Sequence, residues 1–160
     1  YVPVLVGTKT SHTHTQVGNE VSMKPLEIID EVDKLPMAVR EKCVDLREKT
    51  TLLELRDLLG HAEAVVGVDG GTLHLAGTTD TNIIYAMGTT HPKHRYIARN
   101  GNLHHKIRYV VPRDLACIGC QSNILLHFHH DFRNCIYGDS KCMDHLHPLD
   151  FIEGLKELGL

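Results

Sequence analysis

Ala64-Val65-Val66-Gly67-Val68-Asp69-Gly70-Gly71-Thr72-Leu73-His74-Leu75-Ala76 is the stretch from which the rest of the chain is read. Ala64 to Val68 is apolar and rich in β-branched residues, as a strand covered on both faces should be. Asp69-Gly70-Gly71 breaks that run. Two glycines allow a tight turn and carry no Cβ to keep a ligand away. The helix that follows offers free N–H groups and the positive end of its dipole, a place for a phosphate or diphosphate. The plainer alternative is a simple strand-to-helix turn.

Composition bounds the rest. At 160 residues the chain is long enough for one domain with a real core. An apolar fraction of 42% with 23% charged residues is that of a globular protein. A net charge of −3 gives no general attraction to nucleic acid or anionic membrane. Trp is absent and aromatics make up only 5%, so stacking platforms for single-stranded nucleic acid are not expected. No apolar run approaches the ~20 residues of a membrane helix, and no signal peptide is evident. The chain opens in mid-strand, at Tyr1-Val2-Pro3-Val4-Leu5-Val6 and without a Met, which leads us to expect a piece of a longer protein.

Outward from the central stretch, strands and helices alternate. Val2–Val6 reads as a strand, and the polar Gly7–Asn19, with His12 and His14, as a loop. Pro25–Val32 reads as a helix beginning near Ser22 or Lys24, with a short second helix after Pro36. Cys43–Leu46 is a brief strand. Thr51-Leu52-Leu53-Glu54 is a capping box that opens a helix. Leu52, Leu55, Leu58, Leu59 and Ala62 form its apolar stripe. Asn82–Met87 is a buried strand and Lys106–Val111 the last one. Pro148–Leu158 is a final helix with Pro in its first turn. This order predicts an α/β, Rossmann-like three-layer domain over residues 1–160, with helices on both faces of one mainly parallel sheet. Lys93, His94 and Arg95, in the loop after the Asn82 strand, read as a solvated charge cluster.

Residues 117–142 hold four of the five cysteines. Cys117-x2-Cys120-x14-Cys135-x6-Cys142 has the close pair and distant pair of a tetrahedral thiolate site. The expected cofactor is structural zinc, with iron as the rival. His127, His129, His130, His145 and His147 crowd the same irregular segment, so one of them can replace a cysteine. Disulfides are the alternative, disfavoured if the compartment is reducing and cytoplasmic. Cys43 reads as a small buried hydrophobe.

From about Asp45 onward the order of features resembles the heptosyltransferase-like glycosyltransferases, family 9, of the two-domain GT-B architecture. The resemblance rests on Thr51-Leu52, on Ala62 to Gly67, on Val68-Asp69-Gly70-Gly71-Thr72-Leu73-His74-Leu75-Ala76, and on Gly88-Thr89-Thr90-His91-Pro92. Cys117-Ile118-Gly119-Cys120, Cys135 and Cys142-Met143 also follow a pattern seen in many members. It covers roughly two-thirds of the chain. Gly70 stands where the family has Ser or Thr, and His91 where it has Asp.

The resemblance implies the carboxyl-terminal, donor-binding half of an enzyme that moves a sugar from a nucleotide diphosphate sugar to a glycan, lipopolysaccharide or protein acceptor. Gly70, Gly71 and Thr72 would supply N–H groups to the diphosphate as charge builds on it. His74 would donate a further hydrogen bond. Asp69, repelled by phosphate, would accept N–H groups of the turn or a sugar or ribose hydroxyl. Thr50 and Thr51 would line the base. The amino-terminal acceptor domain, its catalytic base and the first strand-helix unit of the donor half would lie outside this chain, which alone should not catalyse transfer. The competing reading is a non-catalytic, metal-stabilised α/β binding module for protein or nucleic acid.

Overall fold

In a computed structural model of the chain, the described residues are 1–8, 11–17, 20–26, 32, 34–95, 97–99, 102–103, 106–123, 135 and 141–160. They fall into two compact units, Tyr1–Leu55 and Arg56–Leu160.

In the first unit, β1 (Val4–Leu5) and β4 (Val44–Asp45) pair in parallel, with Val4 opposite Val44. Between them the chain departs from expectation. The segment read as a loop forms β2 (Ser11–Val17), antiparallel to β3 (Glu20–Leu26). Ser-His-Thr-His-Thr-Gln-Val alternates and carries β-branched residues at every second place, a strand signal. Pro25, expected to start a helix, instead sits in β3 opposite His12. A two-stranded ribbon consists of edges only, so a residue without an N–H is tolerated there. Residues 27–31 of the expected helix lie outside the described residues. Helix α1 (Met37–Arg40) precedes β4.

Helix α2 (Leu52–His61) begins with the expected capping box. Thr51 N–H donates to Glu54 Oε2 at 2.8 Å, and Glu54 N–H donates to Thr51 Oγ1 at 3.3 Å. The apolar stripe is buried toward the helix's carboxyl end, at Leu59, whereas Leu52 is exposed.

The second unit is built on a parallel sheet in the order β5 (Ala64–Val68), β6 (Asn82–Ala86), β9 (Ile107–Val110). The five strands expected in one sheet therefore form two parallel sheets, one in each unit. β6 is central, and Ile83, Ile84, Tyr85 and Ala86 are buried, as a strand flanked on both sides and covered on both faces requires. Helix α3 (Gly71–Ala76) packs on the face that carries Gly67 and Tyr85, and a Cβ on Gly67 would stand 3.3 Å from Leu73 Cδ2. Ile84, one residue from Tyr85, points to the other face. There Gly154 of the last helix, Pro148–Glu157, sits against its Cδ1. Arg108 of β9 pairs with Glu157 of that helix at 2.8 Å. A helix-sheet-helix arrangement follows, Rossmann-like in kind.

After β6 the chain makes a 3-10 turn at Pro92–His94, and then a small antiparallel pair, β7 (Ala98–Arg99) with β8 (Asn102–Leu103), where a loop was expected. Among the described residues, no helix is long and apolar enough to cross a membrane.

Candidate functional site

The candidate site lies in the second unit, at the carboxyl end of β5, where the chain passes through Asp69 and Gly70 into α3. Gly70 is the N-cap, with φ −176 and ψ 172. That is extended backbone open to any residue, so the turn does not depend on glycine's conformational freedom. What the glycines do provide is room. A Cβ on Gly71 would meet nothing within 4 Å, and one on Gly70 only Val68 O, at 3.7 Å. Among the described residues no side chain caps α3, and the N–H groups of Gly71 and Thr72 carry no partner. They are the donors that the first turn of any helix leaves free.

Asp69 does not fold back onto this turn. Its Oδ1 accepts a hydrogen bond from the Tyr85 hydroxyl. His74 Nε2 stands 3.5 Å from the same oxygen and 3.4 Å from the Tyr85 hydroxyl. Arg95 Nε lies 3.8 Å from Oδ2. Burial first, and then the bond to Asp69, push the Tyr85 phenol well above its usual range, so it stays a donor. Tyr85 stacks on Tyr109 of the neighbouring strand, with ring centres 5.5 Å apart, and Tyr109 in turn accepts the N–H of Ile97. The result is a half-open group with one carboxylate, one imidazole and one guanidinium beside two free backbone donors.

Sequence reasoning brought out Asp69, Gly70, Gly71, Thr72 and His74, and these stand together. Tyr85 carries no such reading in the sequence. Arg95, which with Lys93 and His94 could also be read as a phosphate or acceptor contact, reads there as solvated. The signal for Tyr85 was an aromatic hydroxyl inside a buried strand, which needs a partner. Arg95 looked solvated because its partner lies 26 positions earlier in the sequence. Thr50 and Thr51 belong to the first unit, where the Thr51 hydroxyl is engaged with Glu54. His91, standing where the resembling family has Asp, does an Asp's local work: its Nδ1 accepts the N–H of Lys93 at 3.2 Å and caps the turn.

Cys117, Cys120, Cys135 and Cys142 are half-buried free thiols. Burial pushes the Cys120 and Cys142 thiols up, and each is raised further by the other cysteines nearby. The turn carrying Cys117 and Cys120 is tied to the strand β6 exit. Gly119 N–H donates to Gly88 O and Gln121 N–H to Thr89 O, both at 2.9 Å. Among the described residues, no three His, Cys, Asp or Glu side chains are arranged to hold a metal ion. His127, His129 and His130 lie outside the described residues.

A parallel sheet between helices, with a turn at its carboxyl edge that leaves backbone donors free, defines the class of Rossmann-like α/β domains. Within that class, the family model of glycosyltransferase family 9 (heptosyltransferase) matches residues 26–111. The chain belongs to that family. It is similar to lipooligosaccharide heptosyltransferase 2 of Haemophilus influenzae, 40% identical over 60 residues, which are 38% of this chain and 17% of that protein. The chain thus spans well under two-thirds of that relative's length. The cysteine segment begins after the family match ends. No solved structure matches.

Proposed function

We propose that this chain carries the donor-binding half of a glycosyltransferase of the heptosyltransferase type, and that a nucleotide diphosphate sugar seats its phosphates against Gly70, Gly71 and Thr72. One observation carries the reading. Two unpartnered backbone donors face open space beside His74 and Arg95, at the carboxyl edge of a parallel sheet. In the transfer, an acceptor hydroxyl forms the new bond to the anomeric carbon. The bond from that carbon to the diphosphate breaks and its electron pair leaves with the phosphate, while a general base takes the hydroxyl proton. Fixed N–H groups and cations stabilise the departing charge without having to reorganise. Asp69 repels phosphate, so its part is to hold His74 and Arg95 in place and to accept a sugar or ribose hydroxyl. The base, the acceptor and a cytoplasmic setting are parts of the same proposal.

His74→Ala tests it. Removing a donor to a charged phosphate should weaken nucleoside diphosphate binding about tenfold or more in titration calorimetry on the full-length protein. Unchanged affinity in a folded variant would place the phosphates elsewhere.

The cysteines are proposed to hold a structural metal, zinc or alternatively iron, through Cys117, Cys120, Cys135 and Cys142. The support for this reading is the close pair and distant pair of free, half-buried thiols, and the charge of the neighbouring cysteines that helps burial raise Cys120 and Cys142, which a cation would relieve; among the described residues they do not stand as an assembled site. Bound there, the metal would supply a cross-link rather than chemistry. Elemental analysis of undialysed protein should find about one zinc or iron per chain and lose it in Cys120→Ser. Absence of both metals would count against it.

A further inference from the structure

We propose that Tyr85 is a positioning residue of the donor site: its hydroxyl holds the Asp69 carboxylate in the orientation from which its two oxygens reach His74 and Arg95. The inference rests on the donor-site reading above and adds to it a residue that touches no ligand.

The geometry is specific. Tyr85 lies in the central strand, opposite Gly67 on one side and Tyr109 on the other. It has no exposed surface, and its ring is fixed by the stack on Tyr109. Its hydroxyl donates to Asp69 Oδ1 and lies 3.4 Å from His74 Nε2. Asp69 follows the end of β5, and its side chain is a quarter exposed. With no cap bond to α3, nothing in its own turn fixes the rotation of its carboxylate. Among the described residues, the one side chain that donates a hydrogen bond to it from the core is Tyr85. His74 and Arg95, by contrast, are about half exposed and approach Asp69 at 3.5 and 3.8 Å. A buried phenol, a carboxylate and two half-exposed side chains thus form a chain in which order passes outward from the core. A carboxylate free to rotate would leave His74 and Arg95 to be ordered by the ligand, at a cost in affinity.

Tyr85→Phe keeps the ring and its packing and deletes only the donor. In full-length protein, with ADP as the probe in titration calorimetry, it should bind roughly three- to tenfold more weakly, the range expected for losing preorganisation rather than a direct contact. The deciding comparison is a double-mutant cycle with Asp69→Asn. If Tyr85 acts through Asp69, adding Tyr85→Phe to Asp69→Asn should change ADP affinity no further. In protein labelled at tyrosine 13Cζ, the Tyr85 resonance, assigned by its loss in Tyr85→Phe, should also move in Asp69→Asn. Thermal melts establish that each variant is folded; if Tyr85→Phe is unstable, the resonance is assigned by through-bond correlation to the Tyr85 backbone and Asp69→Asn still gives the spectroscopic result. A Tyr85→Phe effect that persists in full beside Asp69→Asn would overturn the proposal, as would wild-type affinity in Tyr85→Phe or an unmoved resonance. Those results would leave the donor-site reading standing if wild-type protein binds ADP and His74→Ala binds it more weakly. Wild-type protein with no affinity for any nucleoside diphosphate would remove both.

Discussion

Gly71→Ala should raise stability and lower affinity at the same time. Gly71 is the first residue of α3, its backbone lies outside the left-handed region, and an added Cβ meets nothing within 4 Å. The folded state therefore tolerates alanine without strain. The unfolded chain loses freedom, and a helix position gains a better helix former. Together these give about 0.5 kcal/mol, or 1–2 °C in Tm for a chain of this size. The space the methyl enters is the space assigned to the diphosphate. Its approach to the N–H groups of Gly71 and Thr72 would be blocked, weakening binding on the order of tenfold or more if one charged hydrogen bond is lost. Scanning calorimetry and isothermal titration with a nucleoside diphosphate on the full-length protein read the two effects separately. A raised Tm with undiminished affinity would leave the turn as only a turn, with the diphosphate bound elsewhere.

Other consequences are local. Glu54→Gln should remove a stability increment at neutral pH. The Thr51 N–H and hydroxyl hold the Glu54 carboxyl below its usual range, so the increment is present above the unfolded-state pKa and disappears as pH falls through the lowered folded value. Urea unfolding from pH 7 downward should show the two proteins converging in acid. Gly119→Ala should cost more than about 2 kcal/mol in denaturant unfolding, because Gly119 has φ +75 and its Cβ would stand 2.7 Å from His91 Cβ. A neutral result there would mean that the cysteine turn is not held against the β6 exit.

The legible parts of this fold were those set by neighbours in sequence. Ala64–Val68 as a strand and the helix Pro148–Glu157 could be read directly, since an apolar run and a His-Pro start with helical spacing are local signals, although Val66 and Val68, expected to be covered, are exposed. The hairpin Ser11–Leu26 was missed because polar residues and histidines hid a strand alternation, and because Pro25 looked like a helix start. At the site, the glycine turn and His74 were visible as a motif. Tyr85 and Arg95 were not, because what brings them to the candidate site is contact with Asp69 across 16 and 26 positions. The glycines themselves were read partly for the wrong reason. The sequence suggested a tight turn, whereas Gly70 is extended and the value of Gly71 lies in the open space beside it.

A crystal structure of the full-length protein with a bound nucleoside diphosphate tests the central claim most directly. Phosphate oxygens should lie within about 3.2 Å of the N–H groups of Gly71 and Thr72, with His74 and Arg95 turned toward them and Asp69 still bonded to Tyr85. A diphosphate bound elsewhere on the molecule, with those N–H groups facing only solvent, would contradict it.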